Sequence, residues 1–173
     1  PSGIQPLSPT CNLPTTAVPM PGSTYLRHIV PTPGGSFWAA GDGHVLLAGA
    51  TMTWTSWIRR YDAAGALQAT VLLPGDSRID LVGDGAEGAW YLAPDGMSLI
   101  HLAADGTATS TTPLPRQANH LHRAPSGDVW AYAGSAKAAR TAPAPLQRGG
   151  ADDLVVRVAP DGAIKARYHL GVG

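Results

Sequence analysis

Three polar side chains share one position of an internal repeat, and together they could do chemistry. His28, Asp80 and His120 each lie ten residues before a tryptophan. Imidazole nitrogen and carboxylate oxygen are the donor types that hold a divalent metal ion, given one donor from each of several elements. His122 lies two residues past His120, on the same side of an extended strand, and is placed to act as a further ligand or as a base. The metal candidates are therefore His28, Asp80 and His120, and the catalytic candidates are His120 and His122. The plainer alternative makes these residues polar strand ends at a wet channel mouth, with no cofactor bound.

Two other groups carry recognisable chemistry. Arg60, His101 and Arg157 share a position five residues before a turn glycine. They read as a basic ribbon for an anionic ligand, or as the solvated face of a strand with their aliphatic stems over the sheet. Trp54 and Trp57 fall in or beside a segment that only one repeat carries. As ligand-binding candidates they would stack on sugar rings or meet a protein partner; the alternative is packing within a hairpin. The Asp-Gly pairs lack the spaced Asp-x-Asp-x-Asp set of a calcium loop and read as turns. No phosphate loop, dinucleotide fingerprint or Gly-x-Ser-x-Gly elbow is present.

The repeat must position all of these residues. Gly34-Gly35-Ser36-Phe37-Trp38, Ala86-Glu87-Gly88-Ala89-Trp90 and Ser126-Gly127-Asp128-Val129-Trp130 align on their tryptophans. An aliphatic residue (Ile29, Leu81, Leu121) precedes each tryptophan by nine residues, and a turn residue (Pro33, Gly85, Pro125) precedes it by five. An apolar strand then runs into a glycine turn at Gly65, Gly106 or Gly162, and eight residues further on stands Leu73, Leu114 or Leu170. Each unit reads as four short strands, and no segment sustains a 3.6-residue period. The expected fold is all-β, with consecutive four-stranded antiparallel blades of a β-propeller and essentially no helix. Trp38, Trp90 and Trp130 are the expected blade-to-blade core. The Asp-Gly turns are expected to be tight hairpins with positive φ at both turn residues.

The blades divide as residues 24–75, 76–116 and 117–173. Val45-Leu46-Leu47 extends the first blade into a longer hairpin, and the insert at 135–151 of the third is expected to be an exposed, mobile loop. Residues 14–23 resemble the fourth strands and are assigned to the outer strand of an adjoining blade. Residues 1–13 are expected to be an irregular Pro-rich arm. Three blades and one strand do not close a ring, since propellers have about four to eight blades. The rest would come from a longer polypeptide or from further copies, a six-bladed homodimer being the simplest closed form.

Composition narrows the partners. Twelve basic and twelve acidic residues give zero formal charge with no basic run, so the electrostatic footprint of nucleic-acid binding is absent. No apolar run approaches the roughly 18 residues of a membrane span. Cys11 stands alone, which excludes an internal disulfide and a cysteine metal site. The chain starts at Pro1 with no apolar leader, as expected of a processed or trimmed polypeptide. Arg greatly outnumbers Lys and Ala, Gly and Pro abound, a composition associated with GC-rich bacteria; the expected location is outside the cell or in the periplasm.

Ala124-Pro125-Ser126-Gly127-Asp128-Val129-Trp130 and Val158-Ala159-Pro160-Asp161-Gly162 resemble the NHL and streptogramin-lyase-like propeller group. The stretches from Asp42 to Gly49 and from Arg60 to Gly65 resemble bacterial delta-60 repeats. The resemblance spans roughly residues 24–173 and implies a propeller. Some NHL-type lyases hold a metal through a His from each of several blades, which is what the resemblance implies for the positions above. Streptogramin-type lyases pair a catalytic His with a Glu. Glu87, the sole Glu, falls in a turn before a strand, so that pattern is not matched. The expected function is a non-enzymatic scaffold or binding module that engages a protein partner, further copies of itself, or a carbohydrate. The alternative is a metal-dependent lyase or hydrolase at the channel.

Overall fold

The computed structural model describes residues 3–4, 18–19, 24–47, 51–75, 77, 79–133 and 153–170. Every regular element among them is a strand. Gly3–Ile4 (β1) and Val18–Pro19 (β2) pair antiparallel in a two-stranded sheet of their own. These two strands fall within the stretches assigned above to a Pro-rich arm (1–13) and to the outer strand of an adjoining blade (14–23), and their pairing satisfies each other's amide groups.

Three four-stranded antiparallel sheets follow, each with its strands in sequence order. The first blade holds Thr24–Pro31 (β3), Phe37–Leu47 (β4), Thr51–Tyr61 (β5) and Leu67–Leu73 (β6). The second holds Leu81–Gly83 (β7), Ala89–Leu92 (β8), Ser98–Leu102 (β9) and Ala108–Pro113 (β10). The third holds His120–Arg123 (β11), Val129–Tyr132 (β12), Asp153–Val158 (β13) and Ile164–Leu170 (β14). The insert at 135–151 lies outside the described residues.

The last hairpin of each blade differs from the tight turn expected. Gly65, Gly106 and Gly162 have φ between 84° and 88°, and each donates its N–H to the carbonyl three residues back. A bulge interrupts the register on the strand leaving each loop, at Gln68, Thr109 and Lys165. The loop is therefore three residues long, with positive φ at the glycine, and the bulge absorbs the extra residue. The Asp before the glycine serves another purpose: Asp105 and Asp161 each accept the N–H two residues on.

Apolar residues alternate along these strands, so each blade buries one face against each neighbour. Trp38, Ala40 and Ile58 of the first blade pack against Leu81, Ala89 and Tyr91 of the second. Trp90, Leu92 and Leu99 of the second pack against Leu121, Val129 and Val156 of the third. Trp38 and Trp90 are completely buried in these two seams, as the repeat requires. Stacked blades with β3, β7 and β11 as neighbouring first strands are the architecture of consecutive propeller blades.

Candidate functional site

The first strands bring together the residues that the repeat singles out. His28 lies in β3, Asp80 immediately precedes β7, and His120 opens β11. The Asp80 carboxylate is fixed by two backbone N–H groups: Leu81 donates to Oδ1 at 3.0 Å and Leu121 donates to Oδ2 at 2.7 Å. His28 Nδ1 lies 3.8 Å from Oδ1, and His120 Nδ1 lies 3.6 Å from Oδ2. One residue from each blade therefore meets at a single carboxylate. These three residues, with Leu26, Arg27 and Asn119, line an open cavity of about 640 Å³.

The imidazoles address different oxygens of the carboxylate, and each stands beyond hydrogen-bond reach. Among the described residues no group of three or more His, Cys, Asp or Glu is arranged to hold a metal ion. His122 is exposed, pairs in register with Trp130 and does not line the cavity.

The two tryptophans proposed as ligand contacts separate. Trp57 is completely buried beside Ala39 and Tyr61, with the Arg59 guanidinium 4.6 Å from its ring centre. It is core and has no face to offer. Trp54 is half-buried, with Tyr25 and His44 around it.

Arg60, His101 and Arg157 form neither an open ribbon nor a solvated face. Each sits in register beside its repeat tryptophan, Trp38, Trp90 or Trp130. Each is also paired to a carboxylate: Arg60 to Glu87 of the next blade, His101 to Asp84 at 3.0 Å, and Arg157 to Asp128. Sequence reading missed these acids. Asp84 and Asp128 look like ordinary turn residues, yet Asp128 is fully buried and also takes hydrogen bonds from Lys165 (2.7 Å) and Ser126 (2.9 Å). Lys165 first, and then Arg157, hold its carboxyl well below the usual carboxylate range.

Glu87 is the lock between the first two blades. Its carboxylate accepts bonds from Ser36, Thr32, Arg60 and the Gly34 N–H, while its backbone carbonyl accepts the Trp38 Nε1–H at 3.0 Å. The Ser36 bond, followed by that of Arg60, lowers its pKa from 4.5 to about 2. A carboxyl depressed by folding stabilises the native state above its unfolded value and loses that contribution as pH falls through the folded value. The Glu87 contribution is therefore whole above about pH 4.5 and fades towards pH 2. Glu87→Gln is expected to melt below wild type at neutral pH, with the gap closing on acidification. A gap constant across that range in thermal melts would contradict the assignment.

No protein-family profile matches the chain, and no curated protein is significantly similar to it. Among solved structures it is similar to a protein of unknown function from Bacteroides caccae, with a TM-score of 0.46 and 9% identity over 90% of this chain and 64% of that one. It is similar to the calcium-binding protein regucalcin from Agrobacterium tumefaciens (0.44, 16% identity, 83% and 45% covered). It is also similar to virginiamycin B lyase from Staphylococcus aureus (0.46, 10% identity, 91% and 60% covered). The chain thus spans between 45% and 64% of the length of these structures.

Proposed function

We propose that this chain is a binding module: a three-blade segment of a larger β-propeller assembly that presents a cavity where its first strands meet. One observation carries this reading. Trp38 and Trp90 are sealed by the blade that follows them, whereas Trp130, at the same repeat position, is only partly buried. Trp130 stacks on Tyr168 with ring centres 5.5 Å apart, and Tyr168 is 42% exposed. Beside them His120 stacks on Tyr132 at 5.3 Å. A repeat face whose aromatic side chains stay partly open is a surface built to meet a further blade or its equivalent.

The opposite end of the segment is apolar as well. Ile29, Leu67 and Leu72, register partners of the buried Ala39, Tyr61 and Trp57 on the far face of the first blade, are 49%, 55% and 45% exposed. Two such end faces let copies close on one another, and a six-bladed ring of two copies is the simplest closed form. Light scattering on the purified chain is expected to give a multiple of 17.8 kDa, and Tyr168→Arg to return it to 17.8 kDa without unfolding it. A wild-type chain that stays at 17.8 kDa at high concentration would sink this reading.

A second reading, a metal-dependent lyase or hydrolase, draws support from the convergence of His28, Asp80 and His120 on one carboxylate. It requires a metal that stabilises the protein through those residues. Zinc or nickel would then raise the melting temperature of the wild type and leave Asp80→Ala and His120→Ala unmoved. Equal shifts in all three proteins, or no shift in any, would remove it.

A further inference from the structure

We infer that the cavity and the base of the long β4–β5 hairpin form one continuous site for an uncharged saccharide. This rests on the binding-module reading and gives that module its ligand class.

The hairpin is the starting point. β3 pairs with β4 as far as Thr24↔Gly43, and β6 pairs with β5 as far as Ser56↔Leu73. Beyond those limits β4 and β5 pair with each other, from His44↔Trp54 to Leu47↔Thr51. Where this ribbon leaves the blade, three rings gather. Trp54 lies 5.9 Å from Tyr25 at an interplanar angle of 49°, and His44 meets Trp54 edge to face at 5.0 Å and 88°. Tyr25 is 63% exposed and His44 is exposed. Tyr25 thus holds a large aromatic face open to solvent beside the half-buried Trp54, which is unusual on a folded surface.

Arg27 joins this platform to the cavity. It is the extra residue of a bulge in β3, between Leu26 and His28. Its guanidinium grips the buried Asp42 carboxylate in a two-point pair, and Asp42 is the register partner of Tyr25. Arg27 also lines the cavity with His28, Asp80, Asn119 and His120. The site therefore has an aromatic rim and a polar floor joined by a held cation.

The chemistry of the floor selects the ligand. Asp80 opposes an anion, and Arg27 opposes a cation. An apolar peptide would strip water from a carboxylate and two imidazoles without replacing their hydrogen bonds. A sugar hydroxyl both donates and accepts, so it can meet each of these groups, while the C–H face of a sugar ring lies on Tyr25 or Trp54. A cavity of about 640 Å³ takes about one or two such rings, with the next ring on the platform.

The test uses the full chain and neutral cello-, malto-, xylo- and chito-oligosaccharides of about four to six units, followed by calorimetry and tryptophan fluorescence. One of these series is expected to bind. Tyr25→Ala and Trp54→Ala should each weaken Kd about tenfold, roughly the value of one aromatic contact. Met97→Ala, an exposed side chain of the second blade outside both the platform and the assembly face, should leave Kd unchanged. The inference is overturned if none of the series binds at millimolar concentration, if binding survives both aromatic substitutions, or if a peptide library binds this platform in place of sugars. The mass measurement separates the two readings: an assembly that forms normally in a chain blind to saccharides sinks the ligand class and keeps the module.

Discussion

Replacing Trp90 by alanine is expected to destabilise the fold by about 3–5 kcal/mol, whereas the same change at Trp130 lowers it by about 1 kcal/mol. The two residues occupy one repeat position, so local strand structure predicts equal effects. Packing breaks the equivalence. Trp90 has no exposed surface and sits among Leu92, Leu99, Leu121 and Val129, at the seam of two blades. Its loss would leave a void that neither sheet can close without sliding over the other. Trp130 is only partly buried, with one neighbouring ring, Tyr168, and the Arg157 guanidinium 5.7 Å from its centre. Chemical denaturation of dilute protein, where association adds nothing, should show the contrast. For a chain of this size it corresponds to a difference of roughly 10 °C in melting temperature. Equal losses at the two positions would mean that Trp130 is covered in solution and that the third blade has no free face.

The blades were legible in the sequence because turns and core residues obey local rules. A tryptophan fixed relative to a preceding turn, and a glycine that alone accepts φ near 85°, mark strand ends without any knowledge of the neighbours. The convergence of His28, Asp80 and His120 was legible for the same reason, since equivalent positions on first strands must approach one another if the blades stack. What could not be read was which side chains neutralise which. Arg60 takes its carboxylate from Glu87, across a blade seam, while Arg157 takes one from Asp128 in its own blade. The residue two before each tryptophan decides the arrangement, and it is Ser36, Gly88 or Asp128. Where that residue is not itself an acid, the carboxylate comes from elsewhere, and the repeat pattern does not encode where. Trp57 illustrates the same limit. Its neighbour Trp54 shares its type and nearly its position, but the odd spacing puts the two on opposite faces of β5, one in the core and one at the rim.

Gly41→Ala is expected to be the most damaging single-methyl change in the first blade, by about 3 kcal/mol or more, and to abolish the site with the stability. A Cβ at this position would lie 2.0 Å from the Tyr25 carbonyl oxygen and 2.8 Å from the Trp57 ring. Neither can give way: the first is the backbone of a paired strand, and the second is a completely buried side chain. Relief would require β3 to lift from β4 near Leu26, where the bulge displays Arg27. That movement would carry Tyr25 from Trp54 and His28 from Asp80. Gly83→Ala is the control. Its added Cβ would meet Val30 Cγ1 at 3.1 Å, a side-chain contact that a few tenths of an ångström of movement relieves. Denaturation midpoints should therefore fall far more for Gly41→Ala than for Gly83→Ala, and saccharide binding should be lost only with the first. Similar midpoints for the two variants would show that β3 tolerates displacement, and the cavity could not then owe its shape to the closeness of the β3–β4 pair.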